Sequence, residues 1–148
     1  MRAGDDVVGD RAGEVDVDTG PGDDDVSTDR GVIRTGSGGD DVWVLEGPAR
    51  VRLGSGVDSV ETLRTRGPLT VRGGSGNDDL RGGVGPDRLL GGSGGDFIGG
   101  NRGNDLQAGN EGDDVLNGAR GRDDVGRGGP QITVDECRNL ESQTGCEA

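Results

Sequence analysis

Histidine, lysine and tyrosine are absent from this chain of 148 residues, and Phe, Trp and Met occur once each. Without imidazole there is no Ser-His or Cys-His nucleophile pair and no histidine metal ligand. The two cysteines, Cys137 and Cys146, cannot complete a zinc site by themselves. Val, Leu, Ile and Phe together number 30, about a fifth of the chain and near the level below which a highly charged sequence stays disordered. No apolar run approaches a membrane span, and the first 30 residues lack a signal-peptide core. A mature form or an excised fragment is therefore expected. The basic side chains are all Arg, 16 against 29 acidic residues, for a formal charge of −13. That balance disfavours nucleic acid and anionic membrane surfaces as partners.

What the chain has in excess is Gly, 34 residues, and Asp, 22. Gly is the residue whose backbone is costliest to order, and so thin an apolar complement cannot offset the ordering in the usual way. Another source of stabilisation is required. It is visible as a repeat: from Gly73 the chain reads GGSGNDDLR, GGVGPDRLL, GGSGGDFIG, GNRGNDLQA, GNEGDDVLN and GARGRDDVG, six nonapeptides without insertion. Gly holds positions 1 and 4, Asp position 6, and an aliphatic residue usually position 8, Gln107 being the exception. The register continues backwards through LGSGVDSVE (53–61), TGSGGDDVW (35–43), TGPGDDDVS (19–27) and MRAGDDVVG (1–9). Between these lie DRAGEVDVD (10–18), TDRGVIR (28–34), VLEGPARVR (44–52) and TLRTRGPLTVR (62–72), which lack the Asp.

These units resemble the nonapeptide of the RTX, or haemolysin-type, calcium-binding proteins, strongly from Gly73 onward and moderately before it. The resemblance implies an all-β fold, a right-handed parallel β-roll (solenoid) in which two nonapeptides make one turn, positions 1–6 bending and positions 7–9 forming a short strand. Residues 1–126 would form the roll, with irregular even-numbered repeats up to 72 and regular tandem repeats over 73–126. Residues 127–148 would form a C-terminal cap, with Ile132 and Val134 adding a strand. Position-8 side chains would stack inward, since neighbouring strand residues face opposite ways. One stack would be Val8, Val26, Val42, Val60, Leu80, Ile98 and Leu116. The other would hold Val17, Val32 or Ile33, Val51, Val71, Leu89 and Val125.

Alternation then separates two faces. The odd face carries Asp6, Asp24, Asp40, Asp58, Asp78, Asp96 and Asp114, one in every unit. The even face carries only Asp87, Asp105 and Asp123; Val15, Ala49 and Leu69 stand in the earlier units, two of which are stiffened by Pro48 and Pro68. By resemblance, each calcium ion sits between two stacked turns and takes their Asp carboxylates with backbone carbonyls. The glycine-rich stretches supply those carbonyls, at Gly36, Gly38, Gly54, Gly56, Gly74, Gly76, Gly92, Gly94 and Gly112. The cofactor expected is several Ca2+, about eight, moving the net charge to about +3. Calcium suits such turns better than magnesium, which demands a tight octahedron and keeps its waters. Asp25, Asp41, Asp79 and Asp124, at position 7, are expected to point into solvent, and Asp5, Asp23 and Asp113 to offer carbonyls only.

The GSGG strings brush against phosphate-loop patterns, but they recur without a following helix. Asp16 and Asp18 begin like an EF-hand loop, yet Gly20 stands where the third ligand belongs. The Asp pairs lack an aromatic platform for a sugar, so glycosidase chemistry is not expected. Trp43 and Phe97 fall at outward or edge positions. The resulting expectation is a secreted, calcium-dependent module, not an enzyme, with the repeat region of a larger enzyme or toxin as the alternative and an adhesin or ice-binding surface behind it. Cys137 and Cys146 are either two unrelated thiols or a disulfide, which an oxidising extracellular setting favours.

Overall fold

A computed structural model describes residues 4–62, 65–120, 124–129, 136–140 and 142–144. Alternating burial along Asp25–Ser37, Ala49–Ser55 and Leu69–Ser75 shows strands with one face in and one face out. The first two strands are long: β1 is Val7–Pro21 and β2 Asp25–Ser37. They run through the even corners of units 10–18 and 28–34 without ending, with a register shift in β1 between Asp10 and Glu14. Units 44–52 and 62–72 also lack the Asp but carry Pro48 and Pro68, and their corners interrupt the strands.

Beyond β2 the chain alternates between two stacks. β3 (Asp41–Val44), β5 (Ser59–Thr62), β7 (Asp79–Arg81), β9 (Phe97–Gly99) and β11 (Val115–Asn117) follow one another on the odd side. β4 (Ala49–Ser55), β6 (Leu69–Ser75), β8 (Arg88–Ser93), β10 (Leu106–Glu111) and β12 (Val125–Arg127) do so on the even side. All described pairings are parallel, and β2 joins both stacks by pairing with β3 and with β4. The result is a parallel β-solenoid of about six turns, consistent with a β-roll and without a helix among the described residues. No helix there is long and apolar enough to cross a membrane.

The core is two columns of side chains in register. Val26, Val42, Val60, Leu80, Ile98 and Leu116 stack on the odd side, and Val17, Ile33, Val51, Val71 and Leu89 on the even side. Ile33, not Val32, faces in. Each such side chain contributes about 1.5–3 kcal/mol on burial. Position 8 fails twice on the even side: Gln107 is fully buried in the column, and the next place belongs to Gly126 rather than Val125. Leu140, from the tail, lies against the side of Gly126 where a side chain would project and packs on the core.

Strands extend further than positions 7–9. β4, β6 and β8 run on through positions 1–3 of the following turn, with Gly36, Gly54, Gly74 and Gly92 in register. Glycine holds position 2 of these turns at positive φ, and Asn110, at φ +82°, keeps the same register against Gly92 in β10. In the tail, β13 (Glu136–Arg138) pairs with β11 and β14 (Ser142–Thr144) with β12, so both stacks gain a strand. Ile132, Val134 and Cys146 lie outside the described residues, and with Cys146 the Cys137–Cys146 bridge.

Candidate metal centre

The position-6 aspartates form two rows inside the corners. On the odd side each backbone N–H donates to Oδ1 of the Asp one turn later. Asp6 donates to Asp24 at 2.8 Å, Asp24 to Asp40 at 2.9 Å, and Asp40 to Asp58 at 2.9 Å. Asp58 donates to Asp78 at 3.0 Å, Asp78 to Asp96 at 2.9 Å, and Asp96 to Asp114 at 2.8 Å. All but Asp6 are almost fully buried. From Asp24 to Asp114, one carboxylate oxygen of each is thus consumed in tying turn to turn.

The other oxygen is not. Oδ2 of Asp24, Asp58, Asp78, Asp96 and Asp105 is buried and accepts no hydrogen bond. A buried carboxylate oxygen without a partner costs more than the neutral alternative, unless a cation supplies what water and amides do not. In the regular repeats this oxygen shares a small space with a carbonyl. The position-1 glycine leaves that space by having no Cβ. At Gly73 a Cβ would collide with Asp78 Oδ2 and lie 2.8 Å from Gly91 O. At Gly91 it would collide with Asp96 Oδ2 and lie 2.9 Å from Gly109 O. At Gly82 it would be 2.6 Å from Asp87 Oδ2 and 2.7 Å from Gly100 O. Carboxylate and carbonyl oxygens from successive turns therefore converge, the donor set a hard cation takes.

Burial dominates the electrostatics. It pushes Asp58 and Asp105 up from 3.8 to about 7, and Asp78 and Asp96 to about 6, with repulsion from ladder neighbours adding to the shift and backbone N–H donors opposing it. Asp40 and Asp87 are raised by burial as well, against the pull of the Thr35 hydroxyl on Asp40 and of the Gly83 and Leu69 amides on Asp87. A cation between the turns would replace both penalties with attraction.

The glycines expected to present carbonyls, at 36, 38, 54, 56, 74, 76, 92, 94 and 112, all have φ between +116° and +144°. At Gly76 a Cβ would overlap the Gly56 carbonyl oxygen, so the turns pack too closely for any side chain there. The N-terminal odd turns fill the position-1 space instead. Thr19 Oγ1 donates to Thr35 O at 3.1 Å, Thr35 Oγ1 donates to Leu53 O at 3.3 Å, and Leu53 is itself buried.

On the even face, Val15, Gly31, Ala49 and Leu69 occupy the Asp place in register. Asp87 opens the row, with Leu69 N donating to its Oδ1 at 2.8 Å and Gly83 N to its Oδ2 at 2.7 Å. Asp87 N then donates to Asp105 at 2.9 Å, and Asp105 N to Asp124 at 2.9 Å. Asp124, expected in solvent, is fully buried and stands in the row, while Asp123 lies outside the described residues. The reason is one extra residue in this turn: Leu106 pairs with Val125, nineteen positions on, where the regular step is eighteen. Position 5 also does more than offer carbonyls, since Asp5 Oδ1 accepts from Asp23 N, Asp23 Oδ1 from Gly39 N and Asn77 Oδ1 from Gly95 N. Asp79 is half-exposed and pairs with Arg81, whose guanidinium also lies 5.9 Å from the Phe97 ring centre.

Among the described residues no three acidic or cysteine side chains converge on one point, so backbone carbonyls would have to complete any site. No curated protein and no solved structure matches the chain significantly. Residues 72–107 and 108–128 match the RTX calcium-binding nonapeptide repeat, in four copies. With the Asp rows, the Gly spacing and the parallel solenoid in place, residues 72–128 of the chain carry RTX calcium-binding nonapeptide repeats.

Proposed function

We propose that this chain is a secreted β-roll module without catalytic activity of its own, which folds as it binds about eight calcium ions between stacked turns. The observation that carries this reading is the row of buried, unpartnered Asp Oδ2 atoms facing carbonyls of the adjacent turn. Asp24, Asp40, Asp58, Asp78, Asp96 and Asp114 would hold the odd row, and Asp87, Asp105 and Asp124 the even one. Carbonyls at the paired glycines would complete each shell. Bound calcium supplies positive charge that links consecutive turns, in a chain whose formal charge is −13 and whose core is two residues wide. Secretion agrees with this chemistry, since modules of this kind fill at extracellular calcium of about 10⁻⁴–10⁻³ M and stay empty in a cytosol.

Far-UV circular dichroism of the chelated protein, titrated with calcium and separately with magnesium, tests the reading. A cooperative coil-to-β transition with calcium alone is expected, with about eight ions bound per chain in equilibrium dialysis against millimolar calcium. A chelated protein already fully folded and indifferent to calcium overturns it. A count of about four would restrict loading to the regular repeats and overturn the full-length odd row.

A further inference from the structure

Beyond Asp16 and Asp18 on β1, the outward face of the even stack from β4 to β8 has a charge opposite to that of the molecule. Flanking the buried column Ile33–Val51–Val71–Leu89, the outward residues include Arg34, Arg50, Arg52, Arg72 and Arg88. Arg34, Arg52 and Arg72 sit in register on β2, β4 and β6, while Arg50 and Arg88 flank Thr70 in the neighbouring row. Adjacent strands are about 4.8 Å apart, so the five guanidinium stems emerge along roughly 15 Å of flat sheet. Arg34 pairs with Asp16; Arg50, Arg52, Arg72 and Arg88 meet no carboxylate among the described residues. A shallow groove of about 230 Å³ runs between them, lined by Arg50, Arg52, Thr70 and Arg72. The opposite outward face carries Asp25, Asp41 and Glu61 instead.

Four like charges held side by side repel one another, and folding gains nothing from them. Guanidinium is the side chain suited to planar, bidentate contact with carboxylate, sulfate or phosphate, and a fixed row of them matches an anion repeated along a chain. The occupant's class follows from what surrounds the row. Single-stranded nucleic acid is gripped by stacking bases on aromatic rings, and this face has none, since Trp43 and Phe97 lie on the odd stack. A flat parallel sheet also has no element to enter a duplex groove. We propose that the even face is a binding surface for a linear acidic polysaccharide, laid across the strands so that successive sulfate or carboxylate groups meet successive arginines. Calcium loading of the corners would leave this face untouched, and it would remove the long-range repulsion that a −13 chain presents to a polyanion.

The test is binding of calcium-loaded protein to a heparin oligosaccharide, a short oligogalacturonate, neutral dextran and a single-stranded oligonucleotide, at low and high sodium chloride. Circular dichroism of each variant under the same conditions confirms the sheet. Salt-sensitive binding to one or both acidic sugars and none to dextran is expected; which sugar binds tells sulfate from carboxylate. The combined variant Arg50→Glu, Arg52→Glu, Arg72→Glu should weaken binding by about tenfold or more, whereas Arg81→Glu on the opposite stack should not. No acidic sugar bound, tighter binding to the oligonucleotide, equal effects of the two variants, or a face consumed by salt-sensitive self-association in sedimentation would each overturn the proposal.

Discussion

Replacing Asp78 by asparagine separates the two duties of its carboxylate. Oδ1 accepts from Asp58 N at 3.0 Å, and the amide oxygen of asparagine can keep that bond; Oδ2 is the buried oxygen without a partner, and there an uncharged NH2 would stand. Without calcium the parent pays for an ionised carboxylate at a site 3% exposed, whose pKa burial raises to about 6. At a pH well above 6 that amounts to about 3 kcal/mol, of which the amide recovers part while leaving its own donors underused. With calcium the sign reverses. An ion at a hundredfold its dissociation constant contributes about 2.7 kcal/mol, and an Asp shared by the turns on either side serves two, so Asp78→Asn should cost about 5 kcal/mol. Asp79→Asn, one residue away but half-exposed and paired only with Arg81, should cost about 0.5 kcal/mol. Calcium titrations by circular dichroism read the calcium midpoint, and urea unfolding at saturating calcium reads the cost. Asp78→Asn should need more calcium to fold and, at saturating calcium, unfold at a lower urea concentration than the parent. Equal calcium midpoints for Asp78→Asn and Asp79→Asn would refute the assignment of Oδ2 to the ion.

Acidity should compete with calcium. Asp58, Asp78, Asp96 and Asp105 have raised folded-state pKa values, so between about pH 4 and pH 7 the metal-free fold binds more protons than the unfolded chain, and its stability falls as pH rises through that window. The calcium midpoint should therefore move upward as pH is lowered from about 8 to about 6; a midpoint indifferent to pH would contradict it. Gly76→Ala places a Cβ at φ +125° against the Gly56 carbonyl and should cost about 3 kcal/mol or more in thermal unfolding, whereas Gly9→Ala, with open space around it, should stay within about 0.5 kcal/mol. Gln107→Leu removes a buried Oε1 that has no partner, and the Asn117 carbonyl to which the Gln107 Nε2 donates also accepts from Gly100 N. That variant should gain about 1–2 kcal/mol in urea unfolding, and a loss would show that the amide is needed.

Much of this architecture is legible in the sequence because one period fixes everything. Once Asp24 and Asp78 share a position, the two-unit turn that the RTX resemblance implies sets their neighbours' directions and the inward columns through Val42 and Val71. The separation of an Asp-bearing odd side from Val15, Ala49 and Leu69 on the even side is readable for the same reason. What stays hidden depends on local departures from the period. In GARGRDDVG either Asp could take the row, and only the extra residue in the turn decides for Asp124 over its neighbour. Leu140 covering Gly126 joins residues with no periodic relation, so no spacing announces it. The continuous β1 and β2 escape a rule drawn from the regular repeats, whose glycine corners interrupt the strands. The arginine row is hidden for a different reason: a net charge of −13 averages over two faces of opposite sign.

The Asp hydrogen bonds also have a direction. In each bond that links one turn of a position-6 row to the next, the donor belongs to the earlier turn and the acceptor arrives sixteen to twenty residues later, as with Asp24 N to Asp40 and Asp58 N to Asp78, whereas the position-5 bonds of Asp5 and Asp23 run the other way. A chain emerging from its N-terminus, from a ribosome or through a narrow pore, thus cannot close any turn until the next has cleared the exit. Assembly would advance like a pawl on a rack, each newly freed carboxylate locking the turn before it and opposing backward slippage. Pulled from opposite ends, the same polarity makes the two termini mechanically unlike.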